Sequence, residues 1–139
     1  MSGRRFRFLP HTADLMLEAR GEDLPGLFSS CVLALFSLLV DRRTVRGAEV
    51  RAVEVAGETA EEQLFSLLRE ALLLFAVHAF LVRTAHVTIE GKRVALTLAG
   101  EPLDAERHSV AREIKAVTAH LLSVESSPGG YRARFVVDV

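Results

Sequence analysis

Leu24, Leu27, Phe28, Cys31, Val32, Leu35, Phe36 and Leu39 recur at the i, i+3, i+4, i+7 spacing of one buried helical stripe. Asp23 stands ahead of them as an N-cap, and Pro25 falls in the first turn, whose N–H groups lack intrahelical partners. A second stripe runs through Leu64, Leu67, Leu68, Ala71, Leu72 and Phe75. It opens on Thr59-Ala60-Glu61-Glu62, a capping box, and should end near residues 78–80. Phe65, Leu73, Leu74 and Val77 widen this stripe, which predicts a helix covered on more than one side.

Between and after the helices the period shortens to two. Arg5–Leu9 and Asp14–Ala19 read as extended runs separated by Pro10, and Glu49–Val55 as a further strand closed by Gly57. Val82–Glu90 and Arg93–Ala99 flank Gly91-Lys92 as a hairpin. Gly100–Asp104 reads as a loop, and Arg42–Gly47 as a polar connection. Ile114–Glu125 is β-rich at its ends, with His120-Leu121-Leu122 ambiguous between strand and helix. After the turn at Ser126–Gly130, Tyr131, Ala133, Phe135, Val137 and Val139 share one face of a final strand, and Arg132, Arg134, Val136 and Asp138 the other. The order predicts an α+β fold in which two main helices pack on mainly antiparallel β-sheet, as a single domain over residues 1–139.

Bulk properties narrow the function classes. A formal net charge of −1 offers no basic field for direct nucleic-acid binding, so any RNA role is expected to run through a partner. The longest greasy segment, residues 71–82, contains His78 and is too short to span a bilayer. No signal peptide is read at the N-terminus, and a cytoplasmic protein without a membrane role is expected. The single cysteine, Cys31, excludes an intrachain disulfide or multi-cysteine metal site, and its place on the first stripe reads as a buried inert thiol. Walker, G-x-G-x-x-G, G-x-S-x-G and H-E-x-x-H patterns are absent, and no catalytic residue is assigned.

Candidate chemistry gathers in three places. Asp14, Asp138 and the terminal carboxylate of Val139 would make a hard-oxygen set for Ca2+, Mg2+ or Mn2+ if the fold brought them together. From the residues alone the plainer reading leads, with Asp14 capping a turn and Asp138 solvated at a strand end. His11 can ligate a metal or act as a base, or hydrogen-bond within its own turn, and the turn is preferred. Gly100–Asp104, Glu106-Arg107-His108 and Glu113–Thr118 concentrate charge between β runs. Within them Lys115 opens an apolar run and can meet a phosphate or a partner's acid, or snorkel from a strand edge.

Taken together, Phe-Leu-Pro-His-Thr-Ala-Asp (residues 8–14), Ala-Leu-Phe-Ser-Leu (34–38), Gly-Glu-Pro-Leu-Asp (100–104), Glu-Arg-His (106–108), Ile-Lys-Ala-Val-Thr (114–118) and Phe-Val-Val-Asp-Val (135–139) resemble the archease family over essentially the whole chain. The resemblance implies an accessory activator, not an enzyme. Its partner would be an RtcB-type RNA ligase of tRNA splicing and RNA repair, whose guanylylation and multiple turnover it would promote, touching RNA only through that ligase. It further implies a divalent cation, Ca2+ foremost with Mg2+ and Mn2+ as alternatives, on Asp14, Asp138 and Val139, and this reverses the ranking reached from the residues alone. Lys115 matches the family's lysine at the ligase-facing surface, and His11 belongs to the metal-bearing motif. Two positions depart from the family pattern: Pro10 replaces the usual acid before His-Thr-Ala-Asp, and Ala76-Val77-His78 follows Phe75 where an acid is usual. The alternatives are a stand-alone metal-dependent phosphoesterase and a metal-independent chaperone-like interaction module.

Overall fold

The computed structural model describes residues 14–139. His11, Pro10 and the run predicted as a strand over 5–9 lie outside the described residues.

The first strand, β1 (Asp14–Gly21), alternates exposed and half-buried positions, and turns Leu15, Leu17 and Ala19 to the core. Helix α1 (Leu24–Leu39) begins where Asp23 Oδ1 accepts the Gly26 N–H at 2.8 Å. Seven of its eight stripe residues, Leu27 through Leu39, have no solvent exposure. Burying a large apolar side chain contributes about 1.5–3 kcal/mol, so this stripe anchors the fold. Val40 ends the helix in extended backbone, its N–H held by Phe36 O at 3.1 Å. The polar connection contains one 3-10 turn, Arg42–Thr44, before strand β2 (Glu49–Ala56).

Helix α2 (Ala60–His78) opens with Thr59 Oγ1 accepting the Glu62 N–H at 3.1 Å. The return bond of the box lands one residue ahead of the cap, from the Glu58 N–H to Glu62 Oε1 at 3.0 Å. Ala79 closes the helix in the left-handed region at φ 53°. The inner stripe is buried as expected, but Leu73 and Val77 are 45% and 67% exposed. The expectation of cover on more than one side is therefore corrected, because no described element packs over that side of α2.

Strands β3 (Phe80–Glu90) and β4 (Arg93–Pro102) form the predicted hairpin around Gly91-Lys92. However, β4 continues through Gly100, Glu101 and Pro102, which pair with Val82, Leu81 and Phe80, so the predicted loop begins only at Leu103. Gly100 lets the backbones meet there: a Cβ on it would lie 1.9 Å from Leu81 O. Strands β5 (Ala116–Ser127) and β6 (Gly130–Asp138) complete the chain. The ambiguous His120–Leu122 lies in β5 at an irregularity, where Ala119–Leu122 stand against Phe135 alone and Leu121 adopts φ 61°.

The strands form two antiparallel three-stranded sheets, β1-β6-β5 and β2-β4-β3. Helix α1 packs on β1 and β3, and α2 on β5 and β2, so each helix bridges both sheets. Phe28, Phe36, Phe80 and Phe135, one from each of α1 (twice), β3 and β6, are fully buried in one cluster. The α+β architecture of two helices on antiparallel sheet is as the sequence predicts.

Candidate metal centre

Strand pairing brings Asp14 and Asp138 together. They are direct partners in the β1–β6 register, and Ala116 is the partner of Asp138 on its other side. Directly opposed residues in an antiparallel pair share a face of the sheet, with Cβ atoms about 5 Å apart. Leu15, Val137 and Val117 turn to the core, so Asp14, Asp138 and Ala116 lie on the face away from the helices. Two carboxylates in this relation repel, and neither has an ion-pair partner among the described residues.

Among the described residues, two buried side-chain polar atoms lack a hydrogen-bond partner, Asp138 Oδ1 and Thr118 Oγ1. Thr118 is paired with Val136 and is thus the diagonal neighbour of Asp138 on the same face. An unsatisfied buried acceptor costs about 1–3 kcal/mol, and more when charged. An oxygen-seeking cation at this end would relieve both the repulsion and the orphaned acceptor, so the residues present fit a hard divalent ion. Val139 follows Asp138 directly, one Cα–Cα step of about 3.8 Å away. No group of three or more His, Cys, Asp or Glu side chains that could hold a metal occurs among the described residues.

Lys115 is exposed and immediately precedes β5, and its backbone N–H donates to Asp138 O at 2.7 Å. Residue 115 is thereby held at the same end of the sheet as the carboxylate pair. Thr118 is the residue that sequence reasoning passed over. Strand alternation from Ala116 was the available signal, but the partner strand was unknown.

The charged stretch around Glu101 proves to be a buried tie. Glu101, 6% exposed, accepts the Arg46 N–H at 2.8 Å and two bonds from Arg107 at 2.6 and 3.0 Å. The Arg107 guanidinium first, then the Arg46 amide, hold the Glu101 carboxyl down at about 2. His108 lies against it, Nε2 to Oε2 at 3.0 Å, while Nδ1 accepts the Asp104 N–H at 2.9 Å. Accepting at Nδ1 fixes the proton on Nε2, so both ring nitrogens are occupied in structure and neither is open to substrate. Burial pushes the Cys31 thiol up to about 12, in keeping with an inert packed sulfur.

Fold and site together define a small α+β domain, two sheets bridged by two helices, with an acidic cross-strand pair at one end of the first sheet. The Archease protein family (MTH1598/TM1083) matches residues 6–139, and the chain belongs to this family. Protein archease of Thermococcus gammatolerans is 37% identical over 141 positions, covering 98% of this chain and 99% of that protein. Protein archease of Pyrococcus abyssi is 34% identical with the same coverage, 98% and 99%. Among solved structures, the solution structure of Methanobacterium thermoautotrophicum protein 1598 superimposes with a TM-score of 0.78 at 29% identity, covering 92% of this chain and 94% of that one. The crystal structure of a Thermotoga maritima archease, described as a possible chaperone, shares the fold with a TM-score of 0.71 at 20% identity, covering 99% and 100%. No helix among the described residues is long and apolar enough to cross a membrane.

Proposed function

We propose that this archease is a metal-binding accessory protein that activates an RtcB-type RNA ligase, promoting its guanylylation and multiple turnover, and is not itself an enzyme. The observation that carries the reading is the Asp14–Asp138 cross-strand pair with its orphaned buried oxygen. Asp14, Asp138 and the Val139 carboxylate would hold the cation, Ca2+ foremost. Such a cation would supply a positive charge able to draw in a phosphate or a partner's acid. Lys115, exposed and tied through its backbone to Asp138, adds an ammonium at the same end of the sheet. In this reading the RNA ends being joined are engaged by the ligase, in the cytoplasm.

The test is multiple-turnover RNA ligation by the RtcB-type ligase of the same organism, with and without this protein. Native protein is expected to stimulate, and folded Asp14→Ala, Asp138→Ala and Lys115→Ala variants are expected to fail. No stimulation of an otherwise active ligase would sink the reading. A metal-independent interaction module is the second reading, favoured by the exposed Leu73 and Val77 on α2. Stimulation that survives chelation and Asp14→Ala would select it.

A further inference from the structure

An open cleft lies between the C-terminal end of α1 and β3. It has a volume of about 520 Å3, and its walls include Ser37, Asp41, Arg42, Arg43, Arg83 and Thr84. Arg42 and Arg83 are pinned to each other's backbone. Arg42 Nη1 donates to Arg83 O at 2.7 Å and its Nε to Ser37 Oγ at 3.0 Å. Arg83 Nη1 donates to Val45 O at 3.0 Å and reaches Arg42 O at 3.4 Å. These bonds fix the guanidinium groups while leaving most of their five N–H donors each without a protein acceptor among the described residues.

Charge in the cleft is unbalanced. Its one acid, Asp41, is spent on Arg43 through a two-pronged contact at 3.0 and 2.8 Å, which holds the carboxyl ionised well below its usual range. Neither Arg42 nor Arg83 has an ion-pair partner among the described residues, and residues 1–13 contain no Asp or Glu. Two held guanidinium groups with no counter-charge, on a chain whose net charge is −1, form a local rather than a global field. Pinning a loop explains the carbonyl contacts. It does not explain why both pins are cations, nor why the open donors face no carboxylate. Fixed, fork-shaped donors with spare valence match the oxygens of a phosphate.

The cleft also adjoins the carboxylate end. The Ala111 N–H donates to Leu39 O at 2.7 Å, at the end of α1, and four residues on the Lys115 N–H donates to Asp138 O at 2.7 Å. That strap spans at most about 14 Å and carries exposed Arg112 and Lys115.

We propose that the Arg42–Arg83 cleft is a phosphate-binding site, taking a phosphate group from an RNA backbone or from a free nucleotide. It stands independently of the ligase-activator reading, and the test contains no ligase.

Backbone amide shifts of the full chain are followed by NMR while a short single-stranded RNA, GTP or inorganic phosphate is added, with fluorescence anisotropy of the labelled RNA in parallel. Shifts should concentrate on Ser37, Arg42, Arg43 and Thr84. Arg83→Ala should weaken binding tenfold or more and lower the salt slope by about 1. Arg93→Ala, which removes an equal charge on the distant β3–β4 hairpin, should change it less than twofold. Because Arg83 also holds carbonyls, Arg83→Lys is run beside it. It keeps the charge but loses the fork, and should bind at an intermediate level. RNA binding tighter than GTP and competing with it assigns the site to a polynucleotide backbone. GTP saturation that RNA cannot displace assigns it to a nucleotide, and either result upholds phosphate recognition. Absence of shifts at these amides with all three probes overturns the proposal, as does equal loss from Arg83→Ala and Arg93→Ala.

Discussion

Asp14→Asn should change the sign of its effect on stability with the presence of a divalent cation. The two carboxylates oppose each other across β1 and β6. At a separation of about 5 Å, two unit charges repel by about 0.8 kcal/mol in water and about 3 kcal/mol at an effective dielectric constant of 20. Asp14 is exposed, so the lower end applies, about 1 kcal/mol. For a domain of 139 residues that is roughly 3–4 °C in Tm. In chelator the variant, having lost the repulsion, should melt above the native protein by about that much. A cation at about one hundred times its Kd should stabilise the native protein by about 2.7 kcal/mol, or roughly 8–10 °C, and leave the variant nearly unmoved. The assay is differential scanning calorimetry of both proteins near neutral pH, in chelator and then in Ca2+, Mg2+ or Mn2+. The two melting curves should exchange order on adding the right metal. A variant that melts below the native protein in chelator would refute the repulsion. A native Tm indifferent to all three ions would refute the metal centre.

Two other perturbations probe the parts that hold the site in place. Glu101 is held at about 2 when folded against an ordinary 4.5, so its contribution is complete above about 4.5 and is lost as pH falls towards about 2. Glu101→Gln should therefore be less stable than native at neutral pH, with the gap narrowing across that acid window in urea titrations; a gap constant with pH would contradict the assignment. Gly100→Ala forces a Cβ to 1.9 Å from Leu81 O, and overpacking of this kind costs about 1–3 kcal/mol or more. Gly91→Ala, at φ 61° with nothing within 4 Å, should cost only about 1 kcal/mol of backbone strain, and equal losses in denaturant unfolding would refute the close-approach account.

Legibility in the sequence follows the range of the interaction. Helix α1 is readable end to end because its cap, first-turn proline and stripe lie within 17 residues, 23–39. The capping box of α2 is equally local, but the exposure of Leu73 and Val77 is not, because periodicity does not say how many faces are covered. Gly100-Glu101-Pro102 carries the composition of a loop, yet the close approach of Leu81 makes glycine a requirement of the strand. The charges of Glu101, Arg107 and His108 are visible as a local concentration but not as a buried tie, because Arg46, their fourth partner, comes from the far side of β2 and α2 in sequence. The carboxylate pair is the extreme case. Asp14 and Asp138 stand at opposite ends of the described residues, and nothing local to either sets their register. Family resemblance pointed to them together, and the strand pairing gives the physical reason.

Strand β6 lies between β1 and β5, although it follows every other strand in the chain. During synthesis β1 and β5 therefore emerge as two unsatisfied edges that wait for the segment from Gly130 onward. The closure of β1 on β6 joins residues more than a hundred positions apart, a slow and entropically costly step. Asp14 and Asp138 become neighbours only when that step is finished. The carboxylate pair is thus a record of completed folding: a molecule stalled before that closure carries the two acids but not their juxtaposition.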